Sequence, residues 1–200
     1  TYDHARSLAH YGQRGRPFIH LTDGGVADNL GLLPVIQVLR QSLGNDSDIP
    51  AGYFKGVEKF LIITVNAETS VDRGWDAKES PLGFIKTLLA AGTTPLSNFT
   101  RAEVEYIRLL LRSYELQGLL DCGGTDANGN KPSGPDCRFV EVSFAGIENP
   151  DERQVLDSLH TSFKLEREQV DLLRAAAAQV LAGHKGFQEF VSELQTAGKP

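Results

Sequence analysis

Six consecutive residues, Phe60-Leu61-Ile62-Ile63-Thr64-Val65, constrain the fold more than any other segment. The run has strand length, is rich in β-branched residues and is apolar on both alternating faces. Such a strand belongs at the centre of a sheet that helices cover on each side, because a sheet with one wet face would show alternation instead. The segments around it supply the helices. Pro34 suits the first position of a helix that runs to Leu43 and stops at Gly44. Ser80 and Pro81 open a second, ending near Gly92. Thr100 and Glu103 form a capping box for a third, with Val104, Ile107, Leu110, Leu111 and Tyr114 on its apolar face and Gly118 at its close. Arg138 to Phe144 reads as another strand, and Asn149 caps a short helix begun by Pro150. A longer helix covers about Glu166 to Leu181, with Val170, Leu173, Ala177 and Val180 on one face, and Phe187 to Leu194 forms a last one. A short strand over Phe18 to Thr22 precedes them all. This order predicts an α/β fold, a sheet layered between helices.

A chain of 200 residues fits one domain, spanning 1–200, and its 40% hydrophobic content is enough for a real core. The net charge of −6 is spread along the sequence, which argues against nucleic acid or an anionic surface as an electrostatic partner. No run approaches the ~18 apolar residues that a membrane-crossing helix needs. There is no methionine, and the opening Thr1-Tyr2-Asp3-His4 has no targeting character, so a piece of a longer protein is expected.

Cys122 and Cys137 bracket a polar loop rich in glycine, asparagine and proline. A disulfide closing it is expected, two free thiols being the alternative, and its formation would indicate an oxidising compartment such as the cell envelope, the periplasm or the exterior. Asp126, Asn128 and Asn130 faintly echo a calcium loop, but Lys131 stands where such a loop needs glycine, and no metal site is expected. Asn45-Asp46-Ser47 and Asn98-Phe99-Thr100 match the glycosylation triplet, a pattern common by chance.

The chemistry lies in Phe18-Ile19-His20-Leu21-Thr22-Asp23-Gly24-Gly25-Val26-Ala27-Asp28-Asn29-Leu30-Gly31-Leu32. An aspartate at the carboxyl end of a strand stands where open α/β sheets place their sites. Gly24 and Gly25 after it permit a sharp turn and leave room for a ligand. On spacing alone Asp23 is either a base facing a crevice or the side chain of an Asx-turn. His20 falls on the opposite face from Asp23 and reads as a packed structural histidine. Asp28 and Asn29 read as braces of the following turn. Trp75, Leu82, Phe84 and Ile85 could line an acyl pocket or form an ordinary helix face.

This segment resembles the aspartate motif of the patatin-like phospholipases, whose Asp-Gly-Gly or Asp-Gly-Ala supplies the base of a Ser-Asp dyad. Asp28-Asn29-Leu30-Gly31-Leu32 extends the match toward bacterial-type members. Leu61 to Asn66 with Ala67, and Thr161-Ser162-Phe163 leading toward the helix over Val170 to Leu181, are similar to later family segments. The resemblance implies a patatin-like three-layer fold and a lipid acyl hydrolase with Asp23 as the catalytic base and no cofactor. The family's nucleophile sits in Gly-x-Ser-x-Gly and its oxyanion hole in a glycine-rich loop, and neither occurs here. Ser133 lies between Pro132 and Gly134 in the cysteine loop, which is no strand-to-helix elbow. In the family both motifs precede the aspartate. The expected partners are therefore a lipid or ester substrate and an upstream segment carrying the serine, with membrane contact left open and no nucleic acid. Two other readings are a patatin-like module that acts as an interaction scaffold, and a magnesium-dependent phosphotransfer loop at Asp23-Gly24-Gly25. The latter lacks any phosphate-cradling motif.

Overall fold

Two strands, β1 over Lys59–Asn66 and β2 over Asp136–Ser143, lie side by side in parallel, in register from Lys59 opposite Asp136 to Asn66 opposite Ser143. The computed structural model describes Gly25 and residues 27–43, 56–69, 84–159, 162 and 164–197, with the backbone alone for 84–94. Among the described residues five α-helices accompany the strands: α1 over Leu32–Leu43, α2 over Phe84–Leu116, α3 over Pro150–Asp157, α4 over Arg167–Gly183 and α5 over Lys185–Ala197. A 3-10 turn, Phe144–Gly146, follows β2.

Parallel strands need a crossover, and α2 lies in it. Its direction follows from two contacts. Arg108 reaches Glu141, near the end of β2, at 2.8 Å. Seven residues later, Glu115 holds the backbone N–H of Cys122, which is bonded to Cys137 near the start of β2. The helix therefore runs antiparallel to the strand, and its residues before Arg108 approach the carboxyl end of the sheet.

Side chains alternate across a sheet, so Phe60, Ile62, Cys137 and Phe139 share one face. They meet Leu32, Ile36 and Leu39 of α1 and Val104, Ile107, Leu111 and Tyr114 of α2 in the main core. The other face turns Val142 toward Leu173, Ala176 and Val180 of α4, and α4 and α5 both contact β2. A smaller core gathers Ile147, Leu156 and Ala176 with Phe144, Leu159 and Leu172. The described chain is thus a mixed α/β structure with a two-strand parallel sheet packed against helices.

The structure corrects several details. Thr100 and Glu103 do not begin a helix. They lie inside α2, 1% and 4% exposed, and the helix continues through Pro95. A capping box faces water, whereas these two side chains are buried against the loop before α1, and tertiary burial outweighs the local signal. Helix α1 starts at Leu32, so Pro34 occupies its first turn and not its first position. The two-sided covering expected for β1 is incomplete among the described residues, with Ile63 42% and Val65 61% exposed. Val170 is 40% exposed, and the packed face of α4 is Leu172, Leu173, Ala176 and Val180. The expected strand Phe18 to Thr22 and the helix start at Ser80 and Pro81 lie outside the described residues.

Ile107 sits fully buried where both sheet strands, α1 and α2 converge. Truncating it leaves a cavity that the surrounding helices cannot wholly close. Ile107→Ala is expected to cost about 2–5 kcal/mol in urea unfolding. A loss below about 1 kcal/mol would show that this core is not closely packed.

Candidate functional site

The loop that follows the Asp-Gly-Gly motif in sequence is held in place from Asp28 onward. Asp28 accepts the Leu32 N–H at 2.9 Å on one carboxylate oxygen and the Leu33 N–H at 3.1 Å on the other. It caps α1 from four residues upstream, where a negative charge is favoured by the helix dipole. Its carbonyl also accepts the Gly31 N–H at 3.4 Å. Gly31 has φ +67°, a conformation that favours glycine, so the turn needs glycine there. Asn29 donates from Nδ2 to the Thr100 hydroxyl of α2 at 3.4 Å. Both residues hold the loop to its neighbours, as turn braces do. Asp23, Gly24, His20, Trp75 and Leu82 lie outside the described residues, and Phe84 and Ile85 are described by backbone alone.

One turn beyond Thr100, the Glu103 carboxyl is buried and neither oxygen has a hydrogen-bond partner. Burial first, and then the neighbouring charge of Asp28, pushes its pKa up to about 7. Because α2 runs antiparallel to β2, Asp28, Asn29, Thr100 and Glu103 lie toward the carboxyl end of the sheet. That is the edge where open α/β sheets bind ligands.

An apolar cavity of about 170 Å³ opens at the same edge on the other face of the sheet. Val65, Asn66 and Ala67 at the end of β1, Ser143 and Phe144 after β2, and Ala177 and Val180 of α4 contribute to its wall. Among the described residues that line it, Asn66 and Ser143 are the polar ones. The Asn66 carbonyl oxygen of the side chain accepts the Glu68 N–H at 3.1 Å, turning the chain out of β1.

At the opposite, amino end of the sheet, Cys122 and Cys137 form a disulfide with Cα atoms 4.7 Å apart. The pairing is consistent with an oxidising compartment. Among the described residues no helix is long and apolar enough to cross a membrane. Glu115, 4% exposed, organises the loop: it accepts N–H groups from Cys122 at 3.1 Å and Gly124 at 2.5 Å and pairs with Arg112. Asp126 accepts the N–H groups of Asn128 and Asn130, both at 2.8 Å, and these bonds hold its carboxyl below the usual range. Its oxygen is therefore committed to the loop's own backbone, and no group of three or more metal-ligating side chains occurs among the described residues. Ser133 is exposed in an irregular stretch. At Gly134 a Cβ would stand 1.9 Å from the Leu119 carbonyl oxygen, so this glycine serves close backbone contact. Asn98 lies within α2 with Thr100 of its triplet buried, and Asn45 lies outside the described residues.

A polar cleft of about 650 Å³ lies beside this loop. Lys59 pairs with Glu193 at 2.6 Å and Asp136 at 3.7 Å, while Arg138 pairs with Asp136 and with Glu193 at 3.6 Å. Lys131 pairs with Asp121 at 3.1 Å. With Glu58 the lining sets the acids Glu58, Asp121, Asp136 and Glu193 against Lys59, Lys131 and Arg138, so the cleft ties α5 to the strand starts and offers no surplus cation to an anionic ligand.

Sequence reasoning read Glu103 only as half of a capping box, and it passed over Glu115 and the Lys59–Asp136–Arg138–Glu193 group. Glu103 and Glu115 do carry a signal: they stand four residues from Ile107 and Leu111 on the row 103–107–111–115, where an acid interrupts an apolar, core-facing stripe. Glu193 has none, since its partners are more than fifty residues away. Compared with known protein families, with characterised proteins and with solved structures, the chain matches none.

Proposed function

We propose that this chain supplies the aspartate half of a patatin-like lipid acyl hydrolase, with Asp23 as the general base and the nucleophilic serine supplied from outside the chain. The observation that carries the reading is the run Asp23-Gly24-Gly25-Val26-Ala27-Asp28-Asn29-Leu30-Gly31-Leu32, tied through Asp28 to α1 and through Asn29 to α2. The two-strand sheet is then part of the larger three-layer sheet of that fold. In the proposed reaction Asp23 accepts the serine hydroxyl proton as Oγ attacks the ester carbonyl. Collapse of the tetrahedral intermediate expels the alcohol, which takes that proton, and leaves an acyl-enzyme. Water then attacks the acyl carbon, giving a proton to Asp23, and as the acyl–Oγ bond breaks Asp23 returns that proton to the serine oxygen and the carboxylic acid leaves. Backbone N–H groups of the oxyanion loop, also outside this chain, hold the developing charge, each worth a few kcal/mol. The apolar cavity at the carboxyl edge suits an acyl chain better than a charged or sugar ligand.

The assignment of the serine to another segment has a direct test. The 200-residue chain alone is expected to hydrolyse p-nitrophenyl esters no faster than a protein-free blank. Turnover that a serine-reactive phosphonate abolishes would place a nucleophile within this chain and overturn the division of the dyad.

A further inference from the structure

Glu103 is placed against elementary electrostatics. A carboxyl 4% exposed, with no hydrogen-bond partner on either oxygen, cannot stay ionised without a large desolvation cost. The group that faces it is a second carboxyl, Asp28, in the loop after Asp23-Gly24-Gly25. The charged groups on the surrounding elements include Arg40 on α1, Glu141 on β2, and Arg101, Glu105 and Arg108 on α2. Among the described residues Asp28 alone acts on Glu103. Each Asp28 oxygen already accepts one N–H of α1, at 2.9 and 3.1 Å. A carboxylate oxygen has room for a second donor. Two carboxylates have no donor between them, which is why Glu103 has no partner as an anion. As the neutral acid it gains one, its own O–H.

We propose that Glu103 is a positioning residue: protonated, it donates a hydrogen bond to Asp28 and latches the motif loop onto α2, and on ionising it releases that loop. The latch stands independently of the chemistry, and only its consequence for Asp23 rests on the acyl-hydrolase reading. Asn29 to Thr100, one turn away on α2, is the second point of the same attachment. Burial and Asp28 raise Glu103 from an ordinary 4.5 to about 7. An acid raised on folding is a proton that the native state retains. The latch is therefore complete below about 4.5 and is lost as pH rises through about 7. The motif loop would consequently be held firmly in acid and loosened in mild alkali.

The test follows the Glu103 carboxyl by ¹³C NMR in the 200-residue chain, with Glu103→Gln identifying its resonance. The expected midpoint is near 7, shifted toward the ordinary glutamate value in Asp28→Asn. Hydrogen exchange of the Leu32 and Leu33 amides in wild type should lose protection across the same pH interval, and in Glu103→Gln, a permanent neutral donor, protection should persist. An ordinary glutamate midpoint, or a midpoint near 7 that Asp28→Asn leaves in place, overturns the latch. So does protection at Leu32 and Leu33 that is flat with pH in wild type. No ester enters these measurements. A titrating latch in a protein without esterase activity would reject the hydrolase reading and leave the latch standing.

Discussion

In the complete protein, Asp23→Asn is expected to lower the kcat for ester hydrolysis by about 10²–10⁴-fold, or about 3–5 kcal/mol of transition-state stabilisation, with little change in Tm. Asparagine keeps the size and the turn-forming capacity of aspartate but cannot accept the serine proton. The competing assignment, an Asx-turn, predicts the reverse. Asparagine makes that turn as well as aspartate does, so activity would survive. The variant thus separates a base from a brace, which a substitution to alanine would not, because alanine abolishes both roles. The neighbouring Asp28 serves as the control. Its two oxygens cap α1, so Asp28→Asn removes one acceptor and should act mainly on stability. Full kcat in Asp23→Asn would end the claim that Asp23 is the base.

What the sequence discloses about this fold depends on how local the cause is. Phe60 to Val65 is legible as a strand because its apolar, β-branched side chains are themselves the cause, and β1 spans it with one residue added at each end. Val104, Ile107, Leu111 and Tyr114 are legible as a buried helix face because their spacing is the helix period. Gly118, at φ +73°, is legible as a stop because only glycine adopts that conformation easily. Asn149 caps α3 from its own side chain, accepting Asp151 N–H at 3.0 Å. Thr100 with Glu103 matches a capping box equally well, and the pattern misleads because its partners are remote. Asn29, 71 residues away, takes the Thr100 hydroxyl, and Asp28 faces Glu103. No local rule reports a contact of that separation. The same holds for Lys59 and Glu193, 134 residues apart, which join the first strand to the last helix. At the candidate site Asp28 and Asn29 are legible as turn residues from their own side-chain chemistry, whereas the burial of Glu103 beside Asp28 depends on a contact 75 residues apart in the sequence.

Removing the disulfide at the edge of the main core should have a large effect on stability. Cys122 and Cys137 close a loop with a sequence separation of 15. In the chain-entropy description a loop of that size restrains the unfolded chain by about 3 kcal/mol. At about 2–4 °C per kcal/mol for a chain of this length, Cys122→Ala with Cys137→Ala should lower Tm by about 6–12 °C. Alanine is the suitable replacement because Cys137 is 1% exposed, and serine would bury a hydroxyl there. The native loop has other restraints. Asp121 donates its N–H to Pro135 and accepts one from Cys137, at 3.0 and 2.8 Å, and Ala127 donates to Leu116 at 2.9 Å. Glu115 holds Cys122 and Gly124 from within α2. The folded loop should therefore keep its shape without the bond, and the loss should act through the unfolded chain. Two measurements separate that account from local collapse of the loop. Amide exchange at Cys122 and Gly124 in the native state should stay slow in the double variant, while the urea midpoint falls. Rapid exchange there would show that the bond holds the folded loop directly. A Tm unchanged by the double substitution or by reductant would show that the bond contributes nothing.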